Sequence, residues 1–373
     1  MIRLVFNIKR LVIKIAIFAL NVVYLPFKCL KTKNKLTYIS RQSDTPSIDF
    51  KLLYNKMKEL DNDVIQVMLT KKIGKGLVGK FKYALHTFVQ MYHIATSKVV
   101  VVDTYIIPIS VLKHKKDLKV IQIWHALGAI KKFGYQVIGK KEGSSETVAY
   151  TMKMHNNYDA VTTSSSVTAK FYADAFNVDI NKIKVVGMPR VDDILGENRN
   201  TEILENNPEY MNKKTILYIP TFRKNDTVYT EDIISAVDTT KYNLIIRLHP
   251  LDNTKVDEKY IAKGDFSTYD MMKFADYIIT DYSATAIEAS VLNKPLFLYV
   301  YDLDSYNEIR GLNINLTQEL KTSTSKDIKD IMNIIENNTY DYKSLELFRN
   351  KYVETYNINN TESVCKLIKE YLK

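Results

Sequence analysis

Twice along this chain, short β-rich runs alternate with segments of amphipathic helical pattern, and that alternation confines the fold to parallel α/β. Strands are expected at 36–40, 64–69, 98–102, 119–123, 160–163 and 183–186, and in a second series at 215–218, 242–247, 277–280 and 295–301. Between the series, 196–214 is rich in Asn and Lys and has the composition of a linker. Two Rossmann-like domains facing an interdomain cleft follow from this, at 36–205 and 206–373, with 344–373 helical at the end of the second. The 373 residues, 46% of them hydrophobic, supply material for two cores and exclude disorder, collagen and coiled coil. No repeat of fixed period is visible.

The first 35 residues form a separate segment. From Ile2 to Phe27 the chain is strongly apolar, yet Arg3, Asn7, Arg10, Lys14 and Asn21 recur at helical spacing on one narrow stripe. The longest charge-free run, 15–27, is 13 residues, short of the ~20 needed to span a bilayer. No small-residue cleavage site precedes Pro26, and Lys28, Lys31, Lys33 and Lys35 follow directly. These features predict an amphipathic helix in the plane of the membrane, with its apolar face in lipid and its cations at anionic headgroups, peripheral on the cytoplasmic face.

Lys and Arg exceed Asp and Glu by 53 to 42, a net charge of +11 that favours anionic partners. The two cysteines, Cys29 and Cys365, have no paired spacing, so neither a disulfide framework nor a zinc site is expected, and no carboxylate cluster suggests another metal. No cofactor motif stands out. Gly74-Lys-Gly76-Leu-Val-Gly79 has dinucleotide-fingerprint spacing, but it sits in the second βα unit among Lys71, Lys72, Lys75, Lys80 and Lys82, and fits a basic loop near lipid phosphates better. The aromatics form no stacking motif for nucleic acid.

Two of six histidines stand directly after a predicted strand, where open α/β sheets carry their ligand groups. His125 precedes a loop whose Gly128 and Gly134 permit close backbone approach, and His249 precedes Pro250, which ends its strand. His86, His93, His114 and His155 have no visible partner and read as structural. A third feature runs from Tyr277 through Asp281, Ser283, Thr285 and Glu288: a strand, a tight polar turn and a helix opened by hydroxyls. Thr285 and Glu288 have capping-box spacing, and the helix N-terminus would suit a phosphate. Only nine of the 53 cations are Arg, and Arg190, Arg223, Arg247 and Arg310 each lie beside Gly, Pro or a strand end, as an anion site would require.

Taken in order, these residues resemble the CDP-glycerol glycerophosphotransferases of teichoic acid synthesis, a family that includes relatives using CDP-ribitol. The resemblance rests on short fragments spread over most of the chain: Asn34-Lys-Leu-Thr-Tyr-Ile-Ser-Arg41, Trp124-His125, Lys131-Lys-Phe-Gly134, Tyr158-Asp159, Gly187-Met-Pro-Arg-Val-Asp192, Pro220-Thr-Phe-Arg223, Arg247-Leu-His-Pro250, Thr280-Asp-Tyr-Ser283, Asn293-Lys-Pro295 and Arg310-Gly311. It implies a GT-B architecture and transfer of a polyol phosphate from CDP-glycerol or CDP-ribitol to an undecaprenyl-diphosphate-linked acceptor, with release of CMP. It also implies His125 as catalytic base, His249 as the second essential histidine near the donor phosphates, and Arg310, Ser283 and Asp281, with Arg223, as donor-holding residues. Arg247 and Thr285 join the expected substrate contacts from their strand-end positions. Ala126, Ala284 and Ala289 depart from the residues common in the family, which leaves the identity of donor and acceptor open. Association with further copies is also open. The alternatives are a GT-B glycosyltransferase using a nucleotide sugar and a non-catalytic membrane scaffold for wall-polymer assembly.

Overall fold

A computed structural model describes residues 2–140, 143–223, 229–250, 252–309 and 311–373, with side chains from residue 7 onward. The chain forms two units. The first comprises Met1–Ala126, Lys132–Arg190 and Asn357–Lys373, and the second comprises Leu127–Lys131 and Val191–Tyr356.

The first unit is built on six parallel strands, β1 (Lys35–Ser40), β2 (Ile65–Thr70), β3 (Val99–Val102), β4 (Lys119–Gln122), β5 (Ala160–Thr163) and β6 (Ile183–Val185), in the order β2-β1-β3-β4-β5-β6. β1, β3 and β5 are buried along their whole length, as strands covered on both faces must be, which is why β3 is the unbroken apolar run Val99–Val102 instead of an alternation. Helix α2 (Ile48–Leu60) starts at Ser47, whose hydroxyl accepts from the Phe50 amide. Its Phe50, Leu53 and Met57 pack with Val364, Cys365 and Ile368 of the C-terminal helix (Asn360–Leu372) over one face of the sheet. The C-terminus therefore returns to the first unit, and the expected helical tail is two helices, Tyr342–Tyr352 and Asn360–Leu372.

Helix α1 (Ile2–Lys28) packs along α3 (Gly76–Thr96) and, past the short α4 (Ile107–Val111), along α5 (Glu146–Thr151). The predicted polar stripe exists: its C-terminal end docks on the unit through Asn21, while Asn7, Arg10 and Lys14 are exposed. Asn21 donates to the Val111 carbonyl (3.0 Å) and accepts from the Lys113 amide (2.8 Å). One turn on, Tyr24 is fully buried with its hydroxyl 3.2 Å from His114 Nδ1. The opposite stripe, Ile8, Leu11, Ile15, Phe18, Val22 and Leu25, is exposed. The segment Asn7–Lys28, 22 residues, is long and apolar enough to cross a membrane, a capacity hidden by counting charge-free residues alone. Along α3, Leu77, Val78, Phe81 and Leu85 are exposed as well. The Gly74–Gly79 pattern explains the tip of that helix: the two glycines touch backbone to backbone, and a Cβ on either would collide with the other.

The second unit is built on β7 (Lys214–Tyr218), β8 (Tyr242–Ile246), β9 (Tyr277–Thr280), β10 (Leu296–Tyr299) and β11 (Thr324–Ser325), all parallel, in the order β11-β10-β9-β7-β8. Its core packs Ile216, Tyr218, Ile246 and Ile279 against Ile331 and Ile335 of the helix Ile328–Asn337. The stretch 196–214 is not a loose linker: it contains the helix Asn200–Asn206, and the fully buried Asn207 donates to the Ile203 and Lys263 carbonyls and accepts from the Lys263 amide. Asn used to satisfy buried backbone has the same composition as Asn in a loop. The chain leaves the first unit after Arg190.

Candidate active site

In open α/β sheets the ligand side is the carboxyl edge, at the point where strand order reverses. In the first unit that point lies between β1 and β3, and the residues at or just beyond the strand ends are Ser40 and Arg41, Asp103, and, after β4, Trp124 and His125. Trp124 takes a left-handed backbone (φ 58°), held by a bond from its amide to the Gln122 side chain (2.8 Å), and this turn delivers His125. The His125 Nδ1 lies 3.0 Å from the Asp103 carbonyl, which can only accept. The proton is therefore assigned to Nδ1, and Nε2 keeps its lone pair. Burial pushes the imidazole down to about 4, opposed by the Asp103 bond and reinforced by Arg190 and Arg41. The ring is neutral and oriented.

Two acidic residues support it, and neither stood out in the sequence. Arg190 forms a buried fork with Asp49, Nη2 to Oδ2 at 2.5 Å and Nε to Oδ2 at 3.1 Å, while its Nη1 donates to the His125 carbonyl at 3.0 Å. Arg190, expected among the anion-binding arginines, is committed to the protein. Asp103 is buried with Oδ1 lacking a hydrogen-bond partner, and burial pushes its carboxyl up to about 7, against a bond from Ser40. Around His125 stands an aromatic wall. Trp124 lies 4.0 Å from the His125 ring and stacks on Phe133 at 4.8 Å, and Phe133 in turn touches Tyr172 and Phe176. Gly134 (φ 56°) sits directly against the Ala175 carbonyl, with no room for a Cβ, so the close approach expected there is present.

In the second unit the reversal lies between β7 and β9. Asp281, following β9, is fully buried and accepts from the Thr221 amide and hydroxyl (Oγ1 to Oδ1 2.6 Å) and from Arg223 Nη1 (2.9 Å). Arg223 also donates to both oxygens of Asp302, and its guanidinium lies over the rings of Tyr282, Tyr301 and Tyr306. The structure thus brings Arg223 and Asp281 together as an ion-paired, ring-enclosed brace. Arg247 donates to Thr268 Oγ1 (3.0 Å) and to the Phe266 carbonyl (2.6 Å). Ser283 and Thr285 share a hydroxyl–hydroxyl bond of 3.0 Å. The expected capping box does not form: the N-cap position is Ala284, no side chain caps it, and the helix Thr285–Ser290 is six residues long. Glu288 instead accepts from Tyr269 (3.0 Å). Arg310 lies outside the described residues.

His249 is exposed, beside Phe222, and burial of its surroundings lowers its pKa, against Asp252 and with help from Lys131. Lys131 belongs to a segment the strand pattern could not assign. Leu127–Lys131 follows His125 in sequence yet is part of the second unit, with Asn313 bonded to the Ala129, Ile130 and Lys131 carbonyls and Gly128 pressed against Ile287. Lys131 Nζ lies 3.1 Å from Thr221 Oγ1, at the reversal point. His125 and His249 thus each stand at the carboxyl edge of a sheet, one per unit.

Solved structures share this fold of two parallel α/β units. The wall teichoic acid polymerase TagF aligns with a TM-score of 0.73 over 99% of this chain and 98% of that one, at 16% identity. The chain belongs to the CDP-glycerol:poly(glycerophosphate) glycerophosphotransferase family, whose model matches residues 22–370, and it is a transferase of teichoic acid synthesis. It is 31% identical to the teichoic acid ribitol-phosphate primase of Bacillus spizizenii over 91% of this chain and 92% of the relative. To the teichoic acid glycerol-phosphate primase of Bacillus subtilis it is 29% identical over 78% of each.

Proposed function

We propose that this protein is a GT-B transferase that moves glycerol phosphate or ribitol phosphate from the CDP-polyol to a lipid-linked acceptor at the cytoplasmic face of the membrane. The observation that carries the reading is the fixed tautomer of His125. Nε2 takes the proton of the acceptor hydroxyl while the oxygen attacks the β-phosphorus of the donor, and the bond from that phosphorus to the CMP oxygen breaks. Charge spreads over the phosphoryl oxygens and the leaving CMP, so donors held in place before reaction lower the barrier most. His249, Ser283 and Thr285 take that role in this reading, with Arg310. Lys131 joins them from its place beside Thr221. Arg223, Asp281 and Arg247 act one step back, by fixing the loops that carry these groups.

The choice of polyol is tested with purified protein and a panel of CDP-glycerol, CDP-ribitol and nucleotide sugars. CMP release is expected from one or both CDP-polyols in the presence of a lipid-linked acceptor. Turnover of a nucleotide sugar alone would replace the reading with that of a glycosyltransferase.

The membrane seat is in plane. Asn21 and Tyr24 hold the C-terminal third of α1 against the α/β unit, an arrangement that this part of the helix cannot keep when enclosed by lipid. The exposed stripes of α1 and α3 supply the apolar face, and Lys71, Lys72, Lys75, Lys80 and Lys82 supply charge, each cation near an anionic surface contributing about 1 kcal/mol. Changing Leu77 and Phe81 to Asp should release the protein from phosphatidylglycerol vesicles and slow transfer to a lipid-anchored acceptor, while a short soluble acceptor analogue is still used. Flotation at low and high salt checks this, and unchanged flotation of the variant would move the seat to α1 alone.

A further inference from the structure

A buried histidine that takes up a proton becomes a buried cation, and the charges around it set how readily that happens. Around His125 they come from four elements of the first unit. Arg41, beyond β1, lies with its guanidinium over the Tyr105 ring (5.3 Å), and Arg190 lies beyond β6; both oppose a positive imidazole. Asp49 on α2 favours one, but it is the buried fork partner of Arg190, so that pair is close to neutral. His155 and Tyr158 are bonded to each other (3.0 Å), and burial lowers the one pKa and raises the other, which keeps both uncharged at neutral pH. The remaining group is the Asp103 carboxyl beyond β3. It is 1% exposed, its Oδ1 has no hydrogen-bond partner, and among the described residues no Lys or Arg pairs with it. A buried carboxyl left partly unsatisfied costs stability, and its place at the ligand edge of the sheet points to a use in the chemistry.

We propose that Asp103 is a positioning residue in two ways: its carbonyl orients His125, and its ionised carboxylate is the counter-charge of the imidazolium that forms as the acceptor hydroxyl gives up its proton, a role that rests on the reading of His125 as the base. Covalent structure bounds the distance. The Asp103 carbonyl oxygen is 3.0 Å from His125 Nδ1, and carbonyl oxygen to carboxyl carbon within one aspartate is at most about 5 Å, so the two charges lie within about 8 Å. At that range in a buried site a unit charge changes a barrier by roughly ten-fold or more. Asp103 takes no proton from the ring. The proton stays on Nε2 until the products leave and then passes to water, and the bonds made and broken at phosphorus are those given above. Burial pushes the carboxyl up to about 7, the Ser40 bond and Arg190 pull it down, and Asp49 pushes it up further. The counter-charge is thus present above neutral pH and lost below it, and transfer follows.

The test compares the full-length wild type with Asp103→Asn, which keeps the backbone carbonyl and removes the charge, from about pH 5.5 to about pH 8.5. Wild-type kcat/KM should rise about ten-fold through pH 7, above a plateau that lasts down to the protonation of His125 itself, and the variant should stay on that plateau throughout. His249 titrates in both proteins, so the difference isolates Asp103. Ser40→Ala removes a bond that favours the ionised carboxyl, and should keep the rise but move it to higher pH. Stability should respond with the opposite sign. The carboxyl ionises at 3.8 in the unfolded chain and at about 7 in the folded one, so wild-type stability falls as pH rises between those values and stays low above them. Asp103→Asn escapes that loss and should unfold at a higher temperature than wild type at about pH 8, with the advantage shrinking toward about pH 4. In a His125→Ala background the Asn change should slow transfer no further, because the charge acts through the imidazole. Parallel pH profiles for wild type and Asp103→Asn would overturn the proposal. So would a variant both slower and less stable at about pH 8, the mark of a packing role, or a further ten-fold loss in the His125→Ala background, which would put the carboxylate on the substrate. Failure of the base reading shows separately, as near-normal turnover of His125→Ala alone, and takes this role with it.

Discussion

Replacing His125 by Ala should lower turnover by about 10²-fold or more, the usual consequence of losing an acid–base group, while the protein stays folded. The pH dependence separates this role from simple packing. A base must be unprotonated to act, and burial sets the His125 imidazole at about 4 instead of its ordinary 6.5. The limb of the kcat/KM profile due to His125 should therefore be flat from neutral pH downward and fall only as the pH nears 4, where the ring takes up its proton. His125→Asn retains an amide able to donate to the Asp103 carbonyl but has no basic nitrogen, so it should be as slow as the Ala variant although the loop keeps its shape. His249→Ala should also be slow, through weakened use of the donor, because His249 is exposed at the carboxyl edge of the second unit's sheet. Near-normal turnover in a folded His125→Ala protein would remove the proposed base.

The strands were legible because a parallel sheet covered on both faces must be apolar throughout, and runs such as Val99–Val102 leave no other economical fate. His125 and His249 were legible for a related reason: the residue after a buried strand lies at the carboxyl edge, and a polar side chain there faces the ligand side. What sequence could not carry is pairing over long separations. Asp49 and Arg190 are 141 residues apart, and nothing near either one marks it as the other's partner. The same holds for Arg223, whose partners Asp281 and Asp302 lie 58 and 79 residues away, so its position beside a strand end could not show that the guanidinium is ion-paired within the unit. The polar stripe of α1 was legible as a stripe, but not that its Asn21 end docks on the protein while Asn7, Arg10 and Lys14 stay exposed. Helical periodicity shows which residues share a face and is silent on what that face meets. The Thr285–Glu288 spacing failed for a local reason, since the chain enters that helix one residue earlier, at Ala284.

Arg190→Ala should be the most destabilising single change in the first unit. Its removal leaves Asp49, 1% exposed, as an uncompensated buried carboxylate, and breaking a buried pair in this way typically costs about 3–5 kcal/mol. For a unit of this size that corresponds to a fall of roughly 10 °C in the midpoint of thermal unfolding. Arg190→Lys keeps the charge and loses the fork, so it should recover part of the stability but not the second function of the residue, the bond from Nη1 to the His125 carbonyl. The Lys variant, assayed well below its own midpoint, should therefore show reduced kcat with an unchanged KM for the CDP-polyol, because it displaces the proposed base and leaves the residues proposed to hold the donor untouched. Asp49→Asn offers the complementary measurement: it leaves the guanidinium buried with a neutral partner and should lower the midpoint by a comparable amount. If instead Arg190→Ala unfolds at the wild-type temperature and raises the KM for donor, Arg190 is a phosphate ligand after all, and the anion site suggested by arginine placement in the sequence would stand in place of the brace.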